Sequence, residues 1–244
     1  MHSHSAVVFI TGAGKRVGAA LAVNLHAHGY RIALHYRQAK AEAQTVADAL
    51  NAKRPNSCLL LQADLAISKE RDALIAQIIA HYGQLDVLIN NASSFAPTPI
   101  GSADESHWDD LFSSNARAPF FLSQAAAPFL RKQKGCIINI ADIYGINPKP
   151  QHTIYSMAKA ALIMMNKSLA KELAPEIRVN AIAPGAILWP ETGISEQSQA
   201  AMVEQTPMAR MGTVDDIFQT ALWLIEQAKF TTGQVIAVDG GRTI

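Results

Sequence analysis

Hydrophobic positions along the chain fall into two alternating kinds of segment. Short, nearly continuous apolar runs rich in valine, isoleucine and leucine recur at Ala6–Ile10, Arg31–His35, Ser57–Gln62, Leu85–Ile89, Cys136–Ile140, Arg178–Ile182 and Gln234–Val238. Between them lie longer stretches of helical period, such as Ala19–His28, Ala41–Asn51, Glu70–Tyr82 and Tyr155–Leu173. A strand with no polar alternation must be covered on both faces, and strands separated by helices run parallel. The pattern therefore predicts an α/β fold: a doubly wound parallel sheet with helices on both faces and ligands beyond the carboxyl ends of its strands. The long strandless segment Pro184–Thr213, which contains Pro190, Gly193 and Pro207, reads as a short helix within a loop. Loops of that length in compact domains are usually functional, so 184–213 is expected to be a substrate-binding lid.

Composition narrows the class. With 244 residues, 49% of them hydrophobic, the chain can bury one large core, and a single domain over 1–244 is expected, with no internal repeat or linker. A net charge of +1 without blocks of like charge gives no electrostatic footprint for nucleic acid or an anionic membrane. Cys58 and Cys136 sit in apolar stretches and read as buried, unpaired thiols in a reducing compartment rather than metal ligands. The start, Met1-His2-Ser3-His4-Ser5, lacks a basic region, and the following apolar run stops at Thr11-Gly12, too soon for a signal peptide or a membrane span. A cytoplasmic protein is expected, and His2 and His4 are assigned no role.

Directly after the first apolar run comes Thr11-Gly12-Ala13-Gly14-Lys15-Arg16-Val17-Gly18. Glycines there permit a tight turn and close backbone approach, and the helix that follows offers free N–H groups and a positive dipole end to a pyrophosphate. That is the dinucleotide-binding design of a Rossmann fold. In such folds an acidic residue about 20 positions further on receives the ribose hydroxyls of NAD. Here the second strand ends Leu34-His35-Tyr36-Arg37-Gln38, with no carboxylate before Glu42. Arg37, beside Tyr36 and helped by Arg16, would instead pair with a 2′-phosphate, which makes NADPH the expected cofactor. The alternative is that Arg37 is an ordinary exposed strand-end residue.

Tyr155 and Lys159 are four apart in a helical stretch and so share one face. A tyrosine, with an ordinary pKa near 10, exchanges protons poorly at neutral pH unless a neighbouring cation favours its ionised form. Lys159 is placed to be that cation. The pair alone is common in helices; its company is what gives it meaning.

Taken with those pieces, Asp64 after the third strand, Asn90-Asn91-Ala92 after the fourth, Asn115, Pro184-Gly185 and Val238-Asp239-Gly240-Gly241, the chain resembles the short-chain dehydrogenase/reductase family over nearly its whole length. The resemblance implies that Asp64 and Leu65 border the adenine, that Asn91 and Ala92 line the cofactor cleft, and that Lys159 also holds the nicotinamide ribose. It implies that Asn115 anchors a water linking Lys159 to solvent and that Pro184, Gly185 and Ile187 bound the nicotinamide. It further implies a homotetramer, with the two long central helices pairing across one interface and the carboxyl-terminal segment near another. Asn90 could instead simply tie neighbouring strands together.

Three positions depart from the general family pattern. Arg16 stands at the usual second glycine of the turn, Ser93 at the usual glycine after Asn-Asn-Ala, and Asp142 at the usual catalytic serine, thirteen residues before Tyr155. With Phe95 in Ser93-Ser94-Phe95-Ala96-Pro97, these look like the pteridine reductase branch, and the absence of large insertions suits its compact bacterial form.

Physical chemistry supports the same reading. Reducing a ketone develops an oxyanion, which hydroxyls stabilise and a carboxylate repels. Reducing a ring C=N bond develops charge on nitrogen, where an acidic group that supplies or relays a proton is useful. Asp142 with Tyr155 fits the second reaction, although Asp142 could also be a turn-capping carboxylate. Phe95 offers a face for stacking a flat heterocycle, Arg16 and Ser93 offer polar contacts to it, and Trp189 either closes that pocket or packs the lid. Met208 and Met211 read as packing beneath the lid. The expected activity is NADPH-dependent reduction of a 7,8-dihydropterin, with oxidised pterins or dihydrofolate as further substrates and no metal. The alternatives are a carbonyl reductase of the 3-oxoacyl or sugar type and a non-catalytic NADPH-binding regulatory protein.

Overall fold

The computed structural model describes residues 6–189, 193 and 195–244. The amino-terminal Met1–Ser5, with His2 and His4, lies outside the described residues, as do Pro190, Glu191, Thr192 and Ile194 of the predicted lid. Each of the seven apolar runs forms a strand: β1 (Val7–Ile10), β2 (Arg31–Tyr36), β3 (Cys58–Gln62), β4 (Val87–Asn90), β5 (Cys136–Ile140), β6 (Arg178–Pro184) and β7 (Val235–Val238). They make one sheet in the order β3-β2-β1-β4-β5-β6-β7 with every pairing parallel. The order reverses between β1 and β4, and a crevice opens there at the carboxyl ends of the strands.

Helices cover both faces: α1 (Arg16–Ala27), α2 (Lys40–Lys53), α3 (Ser68–Tyr82), α4 (Glu105–Phe112), α5 (Ala118–Gln133), α6 (Thr153–Leu173), α7 (Glu196–Glu204) and α8 (Val214–Glu226). The two-residue period of a strand divides the core. From β1, Val8 and Ile10 pack with Leu21, Leu25 and Phe218 on one side, while Val7 and Phe9 pack with Leu74, Ile78 and Leu122 on the other. α1 begins at Arg16 rather than Ala19, because Arg16-Val17-Gly18, which interrupts the apolar period, already belongs to its first turn. The predicted short helix in the 184–213 segment is α7, capped by the Ser195 hydroxyl, which accepts from the Ser198 N–H.

Two polar devices lock the layers beneath the crevice. The Asn90 amide donates to Asn139 Oδ1 at 2.9 Å, Asn139 to Asn166 Oδ1 at 3.0 Å, and Asn166 to the Gln234 carbonyl at 3.2 Å. Asn90 therefore does tie strands together: it faces Asn139 across the β4–β5 pairing. On the far side, the Arg178 guanidinium donates to the carbonyls of Leu224, Ile225 and Ala228 at the end of α8, where a cation also opposes the helix dipole. Both cysteines are free and buried. Among the described residues, no helix is long and apolar enough to cross a membrane.

Candidate active site

The crevice is an open cleft of about 470 Å³, within the ordinary range for a ligand site. Of the predicted cofactor contacts, it is lined by Gly12, Lys15, Arg16, Val17, Gly18, Arg37, Asp64, Leu65, Asn91, Ala92, Ser93, Tyr155, Lys159 and Pro184, together with Asp142. Gly14, Tyr36, Gly185 and Ile187 lie outside that lining. Gly14 faces Ala39 and Ala43 at the start of α2, and Gly185 lies against Asp239. The Tyr36 hydroxyl donates to Gln62 Oε1 at 3.2 Å, and Ile187 is buried in the core. Sequence spacing placed these four near the cleft but did not show which neighbours they pack against.

The glycine turn is laced to the end of β4. Thr11 Oγ1 accepts the N–H groups of Asn91 and Ala92, at 2.9 and 3.0 Å, while the Asn91 amide donates to the carbonyls of Thr11 and Gly12. A Cβ on Gly18 would stand 2.4 Å from the Gly12 carbonyl oxygen and 2.5 Å from Asn91 Nδ2, so only glycine fits. Arg16 has φ of +54°, the left-handed region that explains the glycine usual at its position and that costs a residue with a side chain about 1 kcal/mol. No side chain caps the start of α1, which leaves first-turn N–H groups for an anion. These features, with Arg37 in the lining, fit a dinucleotide phosphate. The Lys15 ammonium meets Glu42 at 2.8 Å on the exposed rim.

His35 is a functional residue that the sequence pattern did not single out. Its Nδ1 accepts the Gly12 N–H at 3.0 Å and its Nε2 donates to the Ala63 carbonyl at 3.0 Å, so the ring must be neutral with the proton on Nε2. Burial, the largest cause, pushes its pKa down to about 4. The available signal was a histidine inside an otherwise apolar strand directly beside the turn.

At the chemical end, Asp142 does two things at once. Its Oδ1 accepts the Tyr144 N–H at 2.8 Å, capping the short 3₁₀ turn Ile143–Gly145, and its Oδ2 accepts the Tyr155 hydroxyl at 2.7 Å. The capping reading of this carboxylate is realised, and its second oxygen is hydrogen-bonded to the tyrosine of the Tyr155–Lys159 pair. Tyr155 is 4% exposed, and its pKa is raised well above 10, first by burial and then by the Asp142 charge. This corrects the expectation that Lys159 favours an ionised tyrosine. The Lys159 ammonium is turned to the Ile140 carbonyl at 3.0 Å, and burial brings its own pKa down to about 8, opposed by Asp142. In this arrangement the tyrosine is a neutral proton donor.

Asn115 sits one layer behind. It is fully buried in a π-helical turn, Ser113–Arg117, inserted between α4 and α5, a distortion frequent at functional sites. Its amide donates to the carbonyls of Ser94 and Leu111, and its Oδ1 accepts the Ser93 hydroxyl at 2.7 Å. The side chain thus positions the Ser93-Ser94 edge of the cleft. The Phe95 ring stands edge-on to Tyr155 at 4.8 Å and stacks on His152 at 4.6 Å, leaving it 53% exposed. Arg16 reaches across the cleft mouth to the carbonyls of Trp189 and Leu188, at 3.1 and 3.4 Å. Met208, expected beneath the lid, is 62% exposed, and its N–H donates to the Gly240 carbonyl at 3.1 Å.

Residues 12–243 match the family model described as enoyl-(acyl carrier protein) reductase. The 3-oxoacyl-[acyl-carrier-protein] reductase FabG of Staphylococcus aureus is 36% identical over 236 residues, 95% of this chain and 96% of that protein. The chain belongs to the short-chain dehydrogenase/reductase family. Another relative, pteridine reductase 1 of Leishmania tarentolae, is 37% identical over 279 aligned positions, covering 98% of this chain and 96% of that protein. An uncharacterised oxidoreductase of Methylorubrum extorquens is 34% identical over 241 residues, 96% of each chain. The protein is therefore an oxidoreductase of a family that uses NAD(P)H. Identities of 36% and 37% do not separate the two named activities.

Proposed function

We propose that this short-chain reductase is an NADPH-dependent pteridine reductase that converts a 7,8-dihydropterin to its tetrahydro form. The observation that carries the reading is the 2.7 Å hydrogen bond from the Tyr155 hydroxyl to the Asp142 carboxylate. Bound NADPH would supply the hydride. The tyrosine–carboxylate pair holds a proton at the place where a ring nitrogen gains negative charge, and Tyr155, kept neutral by burial and by Asp142, can deliver it. A ketone in the same position would develop its oxyanion against Asp142, and the tyrosine hydroxyl that should meet it is already engaged. Arg37 would take the 2′-phosphate and Phe95 one face of the pterin. Residues 184–213, whose base Arg16 holds at Leu188 and Trp189, would close over it as a lid. Oxidised pterins and dihydrofolate are further candidate substrates.

The reading includes a homotetramer: Phe120 and Phe121 on α5 and Met157 and Met164 on α6 are exposed apolar side chains on the two central helices. The second reading, a 3-oxoacyl or sugar carbonyl reductase, is favoured by the similarity to FabG.

NADPH absorbance followed with dihydrobiopterin, dihydromonapterin and dihydrofolate, against acetoacetyl and sugar ketones, separates the two. Pterin turnover that falls about 100-fold or more in Asp142→Ser is expected, the lower end of a general acid's usual contribution. Ketone turnover that improves in that variant, with no turnover of any pterin by the unaltered enzyme, overturns the proposal.

A further inference from the structure

Beyond the proton-delivering pair lies a second polar feature that the proposed chemistry does not use. Lys149 is half-buried on the loop between the 3₁₀ turn and α6, and its ammonium lies 5.3 Å above the Phe95 ring and 5.2 Å from the Tyr144 ring. Phe95 touches the reacting Tyr155, so this cation stands one aromatic ring away from the chemistry. The loop around Asn147 touches the carboxyl-terminal Thr243 carbonyl, and the neighbouring Arg242 is near enough to influence both Tyr144 and Lys149 electrostatically. Among the described residues, Arg242 donates to the neutral amide oxygen of Gln205, at the end of α7.

The nearby carboxylates are already engaged. Asp142 accepts from Tyr155 and Tyr144, and Asp239 accepts from the Gly241 and Thr243 N–H groups and the Thr243 hydroxyl. Among the described residues, no carboxylate oxygen lies within ion-pairing distance of Lys149 or Arg242. Lys149, 5.2 Å from the Tyr144 ring, and Arg242, whose neighbour Thr243 meets the same loop at Asn147, both lack a protein anion among the described residues; such a pair of cations is complementary to an anion carried on the substrate.

Resting on the pteridine reductase reading, we infer that Lys149 and Arg242 select pterins whose side chain ends in an anionic group, a carboxylate or a phosphate, over pterins with a neutral side chain. The flat ring would lie against Phe95 beside Tyr155, and the tail would run outward past Tyr144 between the two cations. The Phe95 and Tyr144 rings hold the Lys149 ammonium itself at 5.3 and 5.2 Å, beside the path of the tail.

The test is the ratio of kcat/KM for dihydrofolate to that for dihydrobiopterin, with a phosphate ester of dihydroneopterin as a third arm to distinguish carboxylate from phosphate. In Lys149→Met the preference for the anionic substrates is expected to fall about tenfold, carried by KM, as for loss of one hydrogen bond to a charged group. Lys149→Arg is expected to restore it. Arg242→Gln is expected to act in the same direction, and raising salt from about 0.05 to 0.5 M is expected to erode the preference in the unaltered enzyme. An unaltered enzyme that reduces dihydrobiopterin but shows the same ratio in Lys149→Met, Arg242→Gln and high salt overturns this inference and leaves the pteridine reductase reading standing. Failure to turn over any pterin overturns both.

Discussion

His35 links the cofactor turn to pH in a way that can be measured without knowing the substrate. Its native pKa is about 4 against an ordinary value of 6.5, with burial as the main cause. Between those limits the unfolded chain binds a proton at this residue and the folded chain does not. Stability is therefore fully present above pH 6.5 and is lost as pH falls toward 4. The whole span corresponds to roughly 3 kcal/mol at about 1.4 kcal/mol per pH unit, and the part between about pH 7 and pH 5 to roughly 2 kcal/mol. Full burial, at 2% exposure, means that solvent screening does not discount the figure much. His35→Gln removes the titration while offering an acceptor for the Gly12 N–H and a donor for the Ala63 carbonyl. Urea denaturation of both proteins near pH 7 and near pH 5 should show the unaltered protein losing about 2 kcal/mol more than the variant. His26, whose pKa is also lowered to about 4 by burial and then by Arg54 and Lys53, is present in both and cancels. Equal losses in the two proteins would refute the assignment of His35 as a neutral strut of the turn.

Other consequences follow from the cleft and the layers beneath it. Arg37→Glu should raise the KM for NADPH at least about tenfold while improving NADH, since a carboxylate there repels a 2′-phosphate and accepts ribose hydroxyls; equal KM changes for the two cofactors would count against a phosphate contact. Gly18→Ala places a methyl group 2.4 Å from a carbonyl oxygen of the turn, so nucleotide binding by fluorescence titration should be lost with a clear drop in melting temperature, and normal binding would contradict the turn geometry. Asn139→Leu leaves Asn166 Oδ1 without its donor and strips one acceptor from Asn90; denaturation should show a loss of about 2–3 kcal/mol, and a neutral result would mean that the buried amide chain adds nothing.

The sheet was legible because each strand is an apolar run with no second period to confuse it, and the predicted ends lie close to those found. Local spacing also carried the chemical pair, since Tyr155 and Lys159 had to share a helix face. It could not carry where the lysine points: the Ile140 carbonyl that receives the ammonium lies nineteen residues away in sequence. The same limit hid His35, whose partners are 23 and 28 residues distant. The π-helical turn at Asn115 left no trace either, because Ser113-Ser114-Asn115 has no composition that distinguishes a π turn from an α turn. Tyr36 and Gly14 show a different limit. Their places along the strand and turn were legible, but not that the Tyr36 hydroxyl would meet Gln62 or that the Gly14 backbone would lie against Ala39 and Ala43 at the start of α2.

Asp142 shows why a substitution at a site should be read through all of its hydrogen bonds. A serine at that position offers one oxygen, which can hold the 3₁₀ turn or meet the tyrosine hydroxyl but cannot do both with the spacing seen here. Aspartate has two oxygens, and both are used. Oδ1 fixes the Tyr144 backbone at 2.8 Å and so orients Oδ2 toward Tyr155 at 2.7 Å. The cap is thus what aims the second carboxylate oxygen. A carboxylate tolerated by chance in a ketone-reducing site would have no reason to be anchored in this way, and it would still oppose the oxyanion that such a site must stabilise. Anchoring by the backbone also holds the charge beside Tyr155, where with burial it keeps the hydroxyl protonated, the state that the proposed proton delivery requires.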